Sequence, residues 1–378
     1  MTRDFNKKRE PLFHIVRRSG MPWWEALLIR LGGILLGIIV ICILFQATTV
    51  EKNPFAIVGA IFNGCFGTAR RTWLLFRDTA LLLLVSLALV PSFKMKFWNL
   101  GGNGQILVGA LVAVMCMFYM GKAGVPNWAI ILIEIPSSIL AGAIWAAIPA
   151  IFKAFFNTNE SLFTLMMNYI AEGLVAVFLN SAVANGSGTM DVLSTGALVN
   201  IGNPYVLTII IAVVVFALVT IYLRFTKHGY ELEVVGESPN TARYIGINTK
   251  KVIIRTIVLS GAICGLVGLL LGAGINHSIA TNSHDGLGFT AIMAAWLAHL
   301  NPGAMAGTSF LISFLDRGVA QAQTAYGVTN DSVSSIALGF VYFAILAAEF
   351  FVTYRVVFSS AFHLKKKKAT AMEKGDEK

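Results

Sequence analysis

The feature that most constrains this chain is a succession of apolar blocks. They can be drawn at 26–47, 72–92, 104–121, 127–150, 161–182, 205–225, 253–275, 288–300, 303–323 and 333–358. Wound as helices, blocks of about twenty residues cross roughly 30 Å of hydrocarbon. Hydrocarbon offers no partner to a free backbone N–H or C=O, so a spanning block must satisfy its own polar groups, as a helix does. The reading is an all-α, polytopic helical membrane protein with about ten transmembrane spans. Composition agrees, since 56% of the residues are hydrophobic and only 13% charged, whereas soluble domains carry about 25% charge. Two regions are irregular. Block 288–300 is too short for a straight crossing and is followed by Asn301-Pro302-Gly303, which predicts a re-entrant or broken helix. Segment 51–71 is partly apolar but holds Gly64, Gly67, Arg70 and Arg71, which predicts an external hairpin or half-span and leaves two arginines on the wrong side of the charge rule.

The chain has 29 Lys and Arg against 19 Asp and Glu, a formal charge of +10. Most of the cations lie in three segments: Arg3 to Arg30, Arg224 to Arg255, and Arg355 to Lys378. Cationic loops stay on the cytoplasmic side, so both termini and the loop 226–252 are expected there. Charge placed beside membrane spans answers to topology rather than to nucleic acid. The implied organisation is a basic N-terminal segment at 1–25, one transmembrane domain at 26–358 and a basic tail at 359–378. The first apolar block is too long for a signal-peptide core and lacks a small-residue cleavage site, so it reads as a retained span. Trp23 and Trp24 precede it, where amphipathic rings favour the headgroup layer. Cys42, Cys65, Cys116 and Cys264 form no C-x-x-C pair and read as buried free thiols.

Signatures of catalysis are missing: the sequence contains no H-E-x-x-H, no G-x-S-x-G and no Cys/His cluster at metal spacing. Gly121-Lys122 resembles the end of a phosphate loop, but Cys116 stands at the first glycine position and Ala123 at the hydroxyl position. Polar residues inside apolar blocks carry more information, because lipid penalises them unless they face protein or water. Thr164, Asn168 and Glu172 follow at i, i+4 and i+8 and share one helix face. Glu134, Asp316, Arg317, Tyr342 and Glu349 stand in other blocks. Singly, each reads first as an interhelical hydrogen bond; the Asn168/Glu172 pair reads equally as a solute contact. Gly261, Gly265, Gly268 and Gly272 line one face of the seventh block, as a packing seam or a hinge. Two Gly-rich openings, NLGGNGQILVGALVA at 99–113 and HDGLGFTAIMAAWLA at 284–298, each precede a helix. They are either ordinary turns or interrupted helices bordering a solute path. A proton-coupled carrier would need titrating carboxylates near the midplane, for which Glu134, Glu172 and Asp316 are the candidates.

Four stretches resemble a known family: WNLGGNGQILVGAL at 98–111, AGAIWAAIPAIFKAFFNTNESLFTLMMNYIA at 141–171, VVGESPNTARYIGINTKKV at 234–252 and GFTAIMAAWLAHLNPGAMAG at 288–307. They are similar to the permease (transmembrane) subunits of bacterial ABC importers in the branched-chain amino acid, ribose and nucleoside superfamily, with nucleoside and simple-sugar permeases closest. Asn103 departs from the family, which usually has a glutamate there. The resemblance implies import of a small polar solute, a nucleoside first, with a simple sugar or riboflavin as the alternative. It also implies that this chain is no enzyme and holds no cofactor, ATP and Mg being bound by separate ATP-binding subunits. Further implied partners are a second permease copy or paralogue and an extracytoplasmic solute-binding lipoprotein, with the chain itself in the bilayer of the cytoplasmic (inner) membrane. The implied substrate path takes in Asn103, Gln105, Asn168 and Glu172. The implied ATPase-coupling segment takes in Glu237, Pro239, Asn240, Ala242, Arg243 and Gly246. Read physically, Ser238 is an N-cap, Pro239 fits a first helical turn and Gly246 stops a short helix over 239–245.

Overall fold

A computed structural model describes residues 13–18, 20–48, 53–183, 190–199, 202–328 and 331–358. Most of the N-terminal basic segment, with Arg3, Lys7, Lys8 and Arg9, and the whole tail 359–378 lie outside the described residues. Thirteen α-helices are described: α1 (Trp23–Thr48), α2 (Pro54–Phe66), α3 (Ala69–Lys94), α4 (Gly102–Lys122), α5 (Asn127–Phe156), α6 (Glu160–Ala182), α7 (Val206–Phe225), α8 (Lys227–Glu237), α9 (Pro239–Tyr244), α10 (Thr249–Leu269), α11 (Leu287–Leu297), α12 (Pro302–Ala325) and α13 (Asp331–Thr353). A π-helical turn, Leu270–Asn276, continues α10. Every apolar block therefore contains a helix, and the protein is an all-α, multi-pass membrane protein. Among the described residues eight helices are long and apolar enough to cross a bilayer: α1, α3, α4, α5, α6, α7, α10 with its π-helical turn, and α13. The other two blocks differ for separate reasons. With 11 residues α11 is too short; α12 has the length, 24 residues, but carries Asp316, Arg317, Gln321 and Gln323.

The chain divides into two compact units. One comprises residues up to Ile61 and from Val319 onward; the other is Phe62–Gly318. In the first unit α1 packs on α13 along Gly33 and Gly37, and a Cβ on Gly33 would approach Ala348 Cβ to 2.6 Å. The pair is tied by Arg30, which donates from Nε to Glu349 Oε2 at 2.9 Å and from Nη2 to Oε1 at 3.1 Å. Here the last apolar block is shorter than the sequence suggests. After α13 the chain extends as strand β2 (Tyr354–Phe358), antiparallel to β1 (Phe13–Arg17), with Arg17 opposite Tyr354. The four β-branched or aromatic residues of β2, Tyr354, Val356, Val357 and Phe358, favour extension, and pairing satisfies their backbone groups.

The second unit is built around α10. Its glycine seam serves two partners rather than one. A Cβ on Gly261 or Gly265 would overlap α5 near Gly142 and Ser138; one on Gly268 would overlap the backbone of α4 at Ile106. Small residues let helices approach closely where lipid offers no hydrophobic drive for association. An apolar core lies between α4 and α6, with Leu107, Leu111, Val114, Val175 and Phe178 buried. Arg71, unexplained by the charge rule, stands in the first turn of α3 and donates to Asn63 O at 3.2 Å, near the end of α2. Arg317 pairs with Asp78 of α3, which Arg77 also binds at 2.8 Å. Glu134 is fully buried on α5, and neither of its carboxyl oxygens has a hydrogen-bond partner among the described residues.

Candidate functional site

Between α3 and α4 the chain leaves helical geometry at residues 95–101, and side chains from other elements take up the freed backbone groups. Thr164 Oγ1 accepts from Leu100 N at 3.1 Å. Asn168 works in both directions, donating from Nδ2 to Leu100 O at 3.0 Å and accepting at Oδ1 from Gly104 N at 2.8 Å. Asn99 accepts at Oδ1 from Gly101 N and from Gln105 Nε2, and donates from Nδ2 to Ser260 Oγ at 3.3 Å. Broken backbone at membrane depth is tolerated only when protein or water satisfies it, and these amides and hydroxyls do so. The spacing of Thr164 and Asn168 thus matches the spacing of the break they hold.

The two Gly-rich openings meet. Asn103 Oδ1 accepts from Gly288 N at 2.7 Å, in the first turn of α11. A Cβ on Gly102 would stand 3.3 Å from Gly288 Cα, and one on Gly288 only 2.6 Å from Asn103 N, so the close approach needs glycine on both sides. The first turns of α4 and α11 are thus packed directly against each other. One turn beyond Asn168, Glu172 keeps 38% of its side-chain surface exposed, with Oε1 3.6 Å from His284 Nε2. His284 Nδ1 accepts from Gly286 N at 3.0 Å, so the neutral ring carries its hydrogen on Nε2, toward Glu172. Asn103, Gln105 and Asn168 are buried in the hydrogen bonds that hold the break. Of the four path candidates, Glu172 alone turns a polar tip to open space. His284 was missed in the sequence, although it opens the second Gly-rich stretch; a histidine beside a helix break was the available signal.

The second cluster lies where the C-terminal ends of α3 and α5 meet the N-terminal end of α10, directly beside the break. Thr226 caps α8 and Ser238 caps α9, whose Oγ accepts from Thr241 N at 3.3 Å; Pro239 occupies the first turn. Gly246, at φ +86°, ends the helix, and Ile247 N donates to Ala242 O at 2.9 Å. Ala242 is fully buried, whereas Tyr244 is 97% exposed. Glu237, Pro239 and Arg243 line a cleft of about 680 Å³ together with Lys96, Lys153 and Lys250. Asn240 is exposed on α9. α8 is held from two sides. Lys94 of α3 pairs with Glu233, and Gly236 lies so close to Lys94 O that a Cβ would overlap it. On the other side Arg255 Nη2 donates to Glu231 Oε2 at 3.0 Å, and His228 contacts both. Burial alone would raise the Glu231 carboxyl, but hydrogen bonds and charge from His228 and Arg255 outweigh it and hold it below the usual carboxylate range.

A sequence profile of the family described as branched-chain amino acid transport system / permease component matches residues 72–348, which contain both clusters. The chain belongs to this permease family. The permease is 26% identical over 302 residues to the nucleoside ABC transporter permease protein NupB of Lactococcus lactis subsp. cremoris, covering 74% of this chain and 79% of the relative. It is 26% identical over 289 residues to the guanosine ABC transporter permease protein NupP of Bacillus subtilis, covering 73% and 81%. It is likewise 26% identical over 293 residues to the glucose ABC transporter permease protein TsgB13 of Haloferax volcanii, covering 73% and 76%. Family and apolar helices together make it a multi-pass protein of the cytoplasmic (inner) membrane.

Proposed function

We propose that the permease carries a nucleoside inward, driven by ATP that separate ATP-binding subunits hydrolyse with Mg. The substrate class rests on one observation, the likeness to relatives named for nucleosides and guanosine. A second permease, copy or paralogue, and an extracytoplasmic solute-binding lipoprotein complete the importer. Of the coupling residues, Glu237, Pro239, Asn240, Arg243 and Gly246 form the surface on which the ATP-binding subunit pushes, and buried Ala242 anchors α9 beneath it. An exposed α9 on an α8 clamped to the end of α3 supports this role. Displacement of α3 reaches Asn103 and its contact with Gly288 within one loop, and from there the Glu172–His284 contact. Asn103, Gln105 and Asn168 set the shape of the path by holding the break, and Glu172 meets the solute.

The test is calorimetry on the cognate lipoprotein, followed by uptake into proteoliposomes holding the assembled importer. Nucleoside binding and ATP-dependent nucleoside uptake are expected. A lipoprotein that binds glucose or riboflavin and ignores nucleosides moves the assignment to a sugar or flavin importer, a reading that the likeness to the glucose permease favours second. Uptake driven by a proton gradient without ATP overturns the mechanism.

A further inference from the structure

The cytoplasmic end of α10 borders a second crevice, which adjoins the coupling cleft and shares Lys250 and Phe155 with it. Lys250 and Lys251 stand exposed in its first turn, and Arg255 follows one turn on. Below Lys250, Ile254 and Val258 continue the same row at i+4 and i+8, and Phe155 from the end of α5 closes the opposite wall. With Asn248 these residues line an open crevice of about 590 Å³. Lys250 Nζ lies 4.5 Å from the centre of the Phe155 ring. Arg255 is engaged by Glu231 on its α8 side. Among the described residues no carboxylate pairs with Lys250 or Lys251, and their charge is reinforced by the positive end of the α10 dipole.

Both α5 and α10 are membrane spans that end here. Lys250 and Lys251 consequently stand at headgroup depth, and the Ile254/Val258/Phe155 floor points toward the acyl layer. We propose that this crevice binds one anionic phospholipid of the cytoplasmic leaflet, its phosphate held by Lys250 and Lys251 and an acyl chain laid along Ile254, Val258 and Phe155. Charge complementarity selects the headgroup: juxtamembrane lysines attract anionic lipid, and a basic pocket between spans gives that attraction a fixed address. The apolar floor selects a lipid over free phosphate, which would leave Phe155 and Val258 facing water.

Native mass spectrometry of the full-length permease tests this, with phosphatidylglycerol, phosphatidylcholine and inorganic phosphate as probes. One retained phosphatidylglycerol is expected, with phosphatidylcholine held about tenfold more weakly and phosphate unable to displace the bound lipid. The pair Lys250→Gln/Lys251→Gln should lose retention by about tenfold, and Lys250→Arg/Lys251→Arg should keep it. If the glutamine pair does not fold, Lys251→Gln alone carries the test, with an expected loss of about threefold to fivefold. Equal retention by the glutamine variants, equal binding of phosphatidylcholine, or displacement by phosphate overturns the proposal. So does loss of the lipid once the ATP-binding subunits are bound, which would give this face to the partner.

Discussion

Asn168 and Glu172 share a helix face and have different surroundings, so their substitutions should separate. Asn168→Ala leaves Leu100 O and Gly104 N without their buried partners, and each such loss costs about 1–3 kcal/mol. The expected outcome is a lower thermal midpoint of the purified permease and less protein in the membrane. Glu172→Gln keeps the shape and the hydrogen-bonding capacity of a side chain that is 38% exposed. Protein level should stay normal while solute uptake falls several-fold. Equal uptake by wild type and Glu172→Gln would remove this carboxylate from the solute path. Sequence periodicity placed both residues on one face, but it could not separate them. The difference lies in the 99–104 segment, which reaches Asn168 and stops one turn short of Glu172.

At the scale of elements, α8 is sensitive to pH through its clamp. Its clamp uses Glu231, whose carboxyl is held below the ordinary range by His228 and Arg255. A depressed carboxylate contributes stability above its unfolded value, near 4.3, and that contribution is lost as pH falls through the lowered value. Thermal midpoints of wild type and Glu231→Gln should therefore differ at pH 7 and converge in acid, and a gap that widens on acidification would contradict the clamp. The glycine seam of α10 gives a second expectation. Gly268→Ala drives a Cβ into the backbone of α4 at Ile106, and overpacking of this kind costs about 1–3 kcal/mol. Loss of monodisperse protein on size exclusion is expected, whereas Gly307→Ala on α12, which meets nothing within 4 Å, should behave as wild type. The seam itself was legible as a row of glycines. Its division between α5 and α4 was not, because a row of positions says nothing about how many helices it meets.

For the whole molecule, topology makes the first prediction: a cysteine at Asn240 should resist an impermeant thiol reagent added outside intact cells and react once they are opened. Labelling from outside would invert the orientation drawn from the basic loops. Hydropathy determined the all-α class and a helix within every apolar block, and end-capping residues determined the short helix α9, because each follows from local chemistry: bilayer thickness, backbone satisfaction and capping. Four motif stretches also sufficed to point to the family. Tertiary structure alone decided that 354–358 pairs as a strand with 13–17, and that Arg71 and Arg317 find their partners at Asn63 and Asp78. It alone joined residues 103 and 288, and residues 172 and 284, across more than a hundred positions of chain. Such pairings come from the packing of helices distant in sequence, where interrupted backbone must find donors and acceptors on whichever neighbour the fold supplies.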